Sequence, residues 1–186
     1  MNGTLVASVI LVAFLSGMGA GYYFSPEYAR GATGGGMEEN GAGYDRLGDL
    51  KYINGMIAHH ESALLLARSA GQESKRPQVT GLAETIIDAD TRGIAGLYDL
   101  KKRLYGDTRR VPPPVFANLG NFDERFDLRF LNAMIAHHEE AIAMAGDIRK
   151  QSFNNEILGI ADEVATGLTE GIAELKSWRR EWYGIE

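Results

Sequence analysis

The sequence predicts an all-α protein: a four-helix bundle made of two duplicated helical hairpins, preceded by an N-terminal transmembrane helix. Three observations predict it. The hexapeptide Met56-Ile57-Ala58-His59-His60-Glu61 recurs letter for letter as Met134-Ile135-Ala136-His137-His138-Glu139. Four long stretches carry apolar residues at helical spacing, and none alternates in the manner of a strand. The first 25 residues hold an uncharged apolar run about long enough to cross a bilayer.

That run extends from Leu5 to Phe24. Gly17-Met18-Gly19-Ala20 has the small residues of a signal-peptide cleavage site, which is the rival reading. Two features favour an uncleaved anchor over residues 1–25. The apolar run continues through Tyr22 and Tyr23, where interfacial aromatics belong, and no lysine or arginine precedes it. Residues 26–43 are glycine-rich and cannot build a core, so they read as a tether between membrane and domain.

The bundle is expected over residues 44–186. Its first helix starts near Tyr44 and carries Leu47, Leu50, Ile53, Met56, Ile57, Leu64 and Ala67. Gly71 and Pro77 bracket its end and the start of the second helix, which runs to Tyr105 and completes repeat one (44–106). Pro112-Pro113-Pro114 and Gly120 mark 107–121 as the linker between copies. Repeat two (122–184) supplies a third helix from Phe122 to about Ile148 and a fourth from Asn154 to about Tyr183. The offset between copies is a constant 78 residues, His59 to His137. Asp49, Tyr52, Ile53, Ala63 and Ala67 answer to Asp127, Phe130, Leu131, Ala141 and Ala145 without a gap. Gly93 answers to Gly171, which suggests a close approach of helices there.

Composition removes several function classes. The 186-residue chain has no cysteine, hence no disulfide, thiolate metal site or cysteine nucleophile. A formal charge of −6 and the lack of a long basic run argue against nucleic acid as a partner. No phosphate loop, nucleophilic triad or zinc-protease motif is present, and a non-enzymatic role is expected.

All four histidines of the chain sit in the two repeated pairs. At about 100° per residue, with Met56 at zero, His60 falls near +40° and His59 near −60°. The apolar residues Tyr52, Ile53, Ala63 and Ala67 share that direction, so the histidines flank Met56 on the core-facing side. Met134, His137 and His138 take the same placement in the second copy. An isolated core histidine is usually a hydrogen-bonded packing residue. Four neutral rings together would each need a polar partner in an apolar interior, and each missing partner costs about 1–3 kcal/mol. A metal ion removes that difficulty, imidazole being the commonest metal ligand.

Di-iron carboxylate bundles use Glu-x-x-His on facing helices. Here the position three residues before His59 is Met56, and before His137 it is Met134. A thioether replaces the hard carboxylate, and soft sulfur with imidazole favours copper, above all Cu(I). Met144 is a third thioether candidate, though its counterpart is Leu66 and plain core packing competes for it. Glu84, Asp88 and Asp162 are candidate hydrogen-bond partners for the rings, with surface placement equally open.

The pattern Asp-x-x-[aromatic]-[aliphatic]-x-x-Met-x-x-His-His-x-x-Ala-[aliphatic]-x-x-Ala stands at residues 49–67 and again at 127–145. It resembles the ferritin-like domain-of-unknown-function family 305, which includes CopM-like copper-binding proteins. The resemblance covers about residues 45–183. It implies a ferritin-like four-helix bundle, export from the cytoplasm, and copper held by Met56, His59, His60, Met134, His137, His138 and Met144. The chain departs from the family where Leu66 replaces a frequent Met. It departs again where Asp90-x-x-Gly93-Ile94-x-x-Leu97 and Leu168-x-x-Gly171-Ile172-x-x-Leu175 replace a Gln-x-x-Glu-Ile-x-x-Met run.

The expectation is therefore a single-pass, membrane-anchored metal-binding protein whose domain lies in the periplasm or outside the cell, handling copper. The alternative is a non-catalytic accessory or structural subunit docked on a larger membrane complex.

Overall fold

A computed structural model describes residues 46–115 and 118–186. The expected anchor (1–25), the tether (26–43) and the start of the first helix at residues 44–45 lie outside the described residues. Among the described residues no helix is long and apolar enough to cross a membrane.

Four helices account for the domain: α1 Arg46–Glu73, α2 Pro77–Tyr105, α3 Phe126–Ile148 and α4 Asn155–Tyr183. Their ends follow local chemistry. Arg76, extended at φ −89° and ψ 122°, takes the conformation that a following proline imposes, and Pro77 opens α2 without wasting a donor. Asn154 caps α4, its side-chain oxygen accepting from the N–H groups of Glu156 (2.9 Å) and Ile157 (3.4 Å). Gly106 (φ 67°) and Gly184 (φ 64°) close α2 and α4 in the left-handed conformation, each returning its N–H to the carbonyl four residues back.

The third helix begins at Phe126 rather than at the expected Phe122. Asp123 intervenes: its carboxylate accepts from Arg125 N–H (2.8 Å) and its carbonyl from Phe126 N–H (3.1 Å), making a turn before the helix. Phe122 is held outside by Glu73, whose carboxylate accepts from its N–H at 3.0 Å.

Each hairpin packs helix on helix, and the two hairpins meet chiefly along α1 and α3. These two run antiparallel, since Asp127 at the start of α3 accepts from Ser74 just beyond the end of α1 (2.6 Å). Two apolar clusters result. One joins the late part of α1 (Ala63, Ala67, Ala70) to the early part of α3 (Phe126, Phe130, Met134). The other joins early α1 (Tyr52, Ile53, Met56) to late α3 (Ala141, Ala145, Ile148). An approximate two-fold axis exchanges them, as the sequence duplication requires, and the histidine pairs lie in the seam between. Each fully buried large side chain in these clusters stabilises the fold by about 1.5–3 kcal/mol.

That arrangement forces a long crossover. α2 ends beside the start of α1, yet α3 begins beside its end, so the linker travels the length of the bundle, roughly 42 Å for the 28 residues of α1. A single crossover between two hairpins is the connection of ferritin-like bundles. Buried Lys101 pins the near end, donating to the carbonyl of Arg109 (2.8 Å), while the Tyr98 hydroxyl accepts from Val111 N–H (2.9 Å). Arg129 pins the far end through the carbonyls of Leu119 (2.7 Å) and Asn121 (3.0 Å).

Candidate metal centre

Halfway along α1 and α3 the histidines meet at the pseudo-two-fold axis. The rings of His59 and His137 lie 3.5 Å apart between centroids, tilted by 34°. Each reaches the other's backbone: His59 Nε2–H donates to the carbonyl of His137 (2.9 Å), and His137 Nε2 lies 3.1 Å from the carbonyl of His59. Ser62 fixes the tautomer of the second ring. Its hydroxyl donates to His59 O (2.7 Å), so it accepts from His137 Nε2–H (2.8 Å). With both Nε2 atoms protonated, each ring keeps its lone pair on Nδ1. The Nδ1 of His137 is buried and has no hydrogen-bond partner among the described residues.

The second pair breaks the symmetry. His60 Nδ1–H donates to Asp90 Oδ1 at 2.7 Å, both side chains being buried. Its equivalent, His138, has no such hydrogen bond: the residue matching Asp90 is Leu168, and His138 Nδ1 is buried without a partner among the described residues. Gly93 lies under the His60 ring, where a Cβ would come within 3.5 Å of Cε1 and Nε2. A Cβ at that distance would be in ordinary van der Waals contact with the ring.

A cavity of about 70 Å³ opens between the hairpins at this level. It is lined by Met56, His59, His60, Met134, His137 and His138, with Asp90 from α2 and Glu163 and Gly171 from α4 among the remaining walls. Met56 and Met134 are 2% and 1% exposed. Met144 is not part of it. Its methyl sits 2.9 Å from where a Cβ on Gly55 would be, within the apolar cluster of early α1 and late α3, where it packs.

The carboxylates nominated from sequence face away. Glu84 and Asp88 are exposed, and exposed Asp162 pairs with Arg149. Asp90, the buried one, stands in the apolar stripe of α2 between Ile86 and Leu97; an acid in that stripe is the signal that would have found it. Glu163 had no such signal, because its counterpart is Thr85.

Burial disfavours the charged form of three of the rings. It pushes His137 down to about 3, with the neighbouring His59 adding to the effect, and His138 down to about 4 against the opposing pull of Asp90. His59 is lowered too, by burial first and then by His60. Burial raises Glu163. Neutral imidazole is the form that ligates. Among the described residues, no three histidine, aspartate or glutamate side chains form a ready-made metal cage. The donors that do gather are nitrogen lone pairs and thioether sulfurs, a soft set that suits a soft cation. The two orphaned Nδ1 atoms are what a bound metal would satisfy.

Two segments, residues 49–112 and 123–186, each match the domain of unknown function DUF305. The chain belongs to the DUF305 family. Both copies of the histidine motif fall inside the matched segments. Among solved structures, the chain is similar to CopM in its Cu(I)-bound form (27% identity, TM-score 0.65) and in its Cu(II)-bound form (26%, 0.62). Each alignment covers 73% of this chain and 97% of CopM. A DUF305 fragment from Deinococcus radiodurans shares the fold at 20% identity and a TM-score of 0.62, over 73% of this chain and 97% of that one. No curated protein matches. The DUF305 assignment thus agrees with the bundle and the duplication.

Proposed function

We propose that this protein is a membrane-tethered, extracytoplasmic copper-binding protein of non-catalytic character, serving as a buffer, chaperone or resistance factor. The observation that carries the reading is the buried, unpartnered Nδ1 of His137 and of His138 in the same cavity as the thioethers of Met56 and Met134. The likeness to copper-bound CopM supports the choice of metal. His59 and His60 complete the donor set, and Met144 drops out of it. Bound copper would supply a positive centre that satisfies the orphaned nitrogens; the protein's part is to orient the rings of His59, His60 and His137 through their hydrogen bonds. The uncharged run before residue 25 supports the tether. The competing reading, an accessory subunit of a membrane complex, gains little from the exposed apolar side chains. Leu47 and Phe153 lie at one end, Phe122 and Ile185 at the other, and Val115 in the linker.

Titration of the full chain in detergent tests the reading. Cu(I) and Cu(II) are both expected to bind, and Met56→Leu is expected to weaken Cu(I) more than Cu(II), because the thioether is the soft ligand. Equal losses for the two oxidation states would reduce Met56 to a packing residue; no binding at all would overturn the copper assignment. Mass spectrometry of the native protein is expected to find residues before Gly21, and a mature chain starting near Gly21 would refute the anchor.

A further inference from the structure

Asp90 breaks the pseudo-two-fold symmetry of the histidine layer with a carboxylate hydrogen-bonded to one ring. Its carboxylate lies 2.7 Å from His60 Nδ1, and the two side chains are only 9% and 11% exposed. Across the axis the matching residue is Leu168, and the Nδ1 of the matching His138 has no partner among the described residues. A carboxylate accepts and cannot donate, so a neutral His60 must carry its proton on Nδ1 and its lone pair on Nε2. Gly93 stands beside the ring, where a Cβ would sit 3.5 Å from Nε2, and His60 lines the cavity. His59 and His137 are the opposite case, their Nε2–H groups tied to carbonyl oxygens and their lone pairs on Nδ1.

We propose that Asp90 is a positioning residue that fixes His60 as an Nε2 donor and makes the two halves of the site inequivalent, one ring hydrogen-bonded to a carboxylate and its counterpart not. The charge has a direction of effect. A buried anion near the metal stabilises a divalent cation more than a monovalent one, because the Coulomb energy scales with the ion's charge. Asp90 therefore favours Cu(II) over Cu(I), opposing the preference of Met56 and Met134. This second consequence rests on the proposed copper function; the tautomer does not.

Nitrogen NMR of the metal-free full chain at about pH 8, above the ordinary imidazole range, reads the tautomer directly. His60 is expected to be protonated on Nδ1 in the wild type and in Asp90→Asn, whose amide oxygen still accepts. It is expected to lose that preference in Asp90→Leu, which copies the other half. A wild-type His60 protonated on Nε2 or on both nitrogens, or an unchanged tautomer in Asp90→Leu, overturns the proposal. Asp90→Asn keeps the geometry and removes the charge, so its Cu(II) affinity is expected to fall about ten-fold or more, with a smaller loss for Cu(I). Equal losses would sink the charge effect, whereas a purely structural role moves neither the tautomer nor the split. A wild type that binds no copper overturns the copper reading, while the tautomer still decides the role of Asp90.

Discussion

Imidazole rings gathered in one cavity, two buried and two half-buried, tie the stability of the metal-free protein to pH. In the unfolded chain each ring takes up a proton near pH 6.5. In the fold, burial holds His137 at about 3 and His138 at about 4, and lowers His59 as well. Between those values the unfolded state binds protons that the folded state refuses, so stability rises with pH across that window. The contribution of the neutral rings is complete above about pH 6.5 and is lost as pH falls toward the folded-state values. Urea unfolding at about pH 7 and about pH 5, on either side of the unfolded imidazole value, is expected to show a larger drop for the wild type than for His137→Asn/His138→Asn. Equal drops would place the acid sensitivity elsewhere. The same depression moves proton competition for a metal below the ordinary imidazole range. That the histidines and both repeated methionines would face inward was legible from the helix wheel. Which nitrogens would be held was not, because tautomers depend on carbonyl and carboxylate groups of other helices. Met144 shows the converse: its sulfur is a plausible ligand by type, and only the space beside Gly55 reveals that it packs.

At the scale of the element, the helix ends were legible wherever the terminus has a local cause. Pro77, Gly106, Asn154 and Gly184 act through their own backbone or side chain, and the starts of α2 and α4 lie where Pro77 and Asn154 put them. The start of α3 was not read from the sequence, because Phe122 continues the apolar rhythm; the turn at Asp123 excludes it, together with Glu73, 49 residues earlier in the chain. The conserved-offset aspartates show how tertiary context separates equivalent residues. Asp127 accepts from Ser74 (2.6 Å) and from Arg76 (3.1 Å), stapling the α1–α2 loop of one hairpin to the first turn of the other. Its counterpart Asp49 accepts from Tyr105 (2.7 Å), while its other oxygen is buried without a partner among the described residues. Asp127→Ala strands a buried hydroxyl and removes a charge from a helix start, at a cost of about 1–3 kcal/mol. Asp49→Ala also relieves an unsatisfied buried oxygen, so its loss is expected to be smaller. Urea midpoints of the two variants check the order, and equal or reversed losses would contradict it.

For the molecule as a whole, the issue is whether the duplicated halves bind metal separately or together. Duplication alone allows two independent sites, one per Met-x-x-His-His motif. The fold favours one. His59 and His137 are in ring contact, and a single cavity is lined by both methionines and all four histidines. Neighbouring residues on a helix point about 100° apart, so His59 and His60 do not easily turn to one ion from one side, whereas histidines from opposite hairpins converge. A site shared in this way has a distinct mutational signature. His60→Ala and His138→Ala are each expected to remove most of the copper affinity, and the double variant is expected to lose little more, because either change already breaks the common donor set. The two single losses need not be equal, since of the two only His60 is hydrogen-bonded to a carboxylate. Independent sites would instead leave half the copper bound in each single variant and none in the double. Copper titration of the two single variants, the double variant and the wild type separates these outcomes, and half-stoichiometry in both single variants would overturn the shared centre while leaving copper binding itself in place.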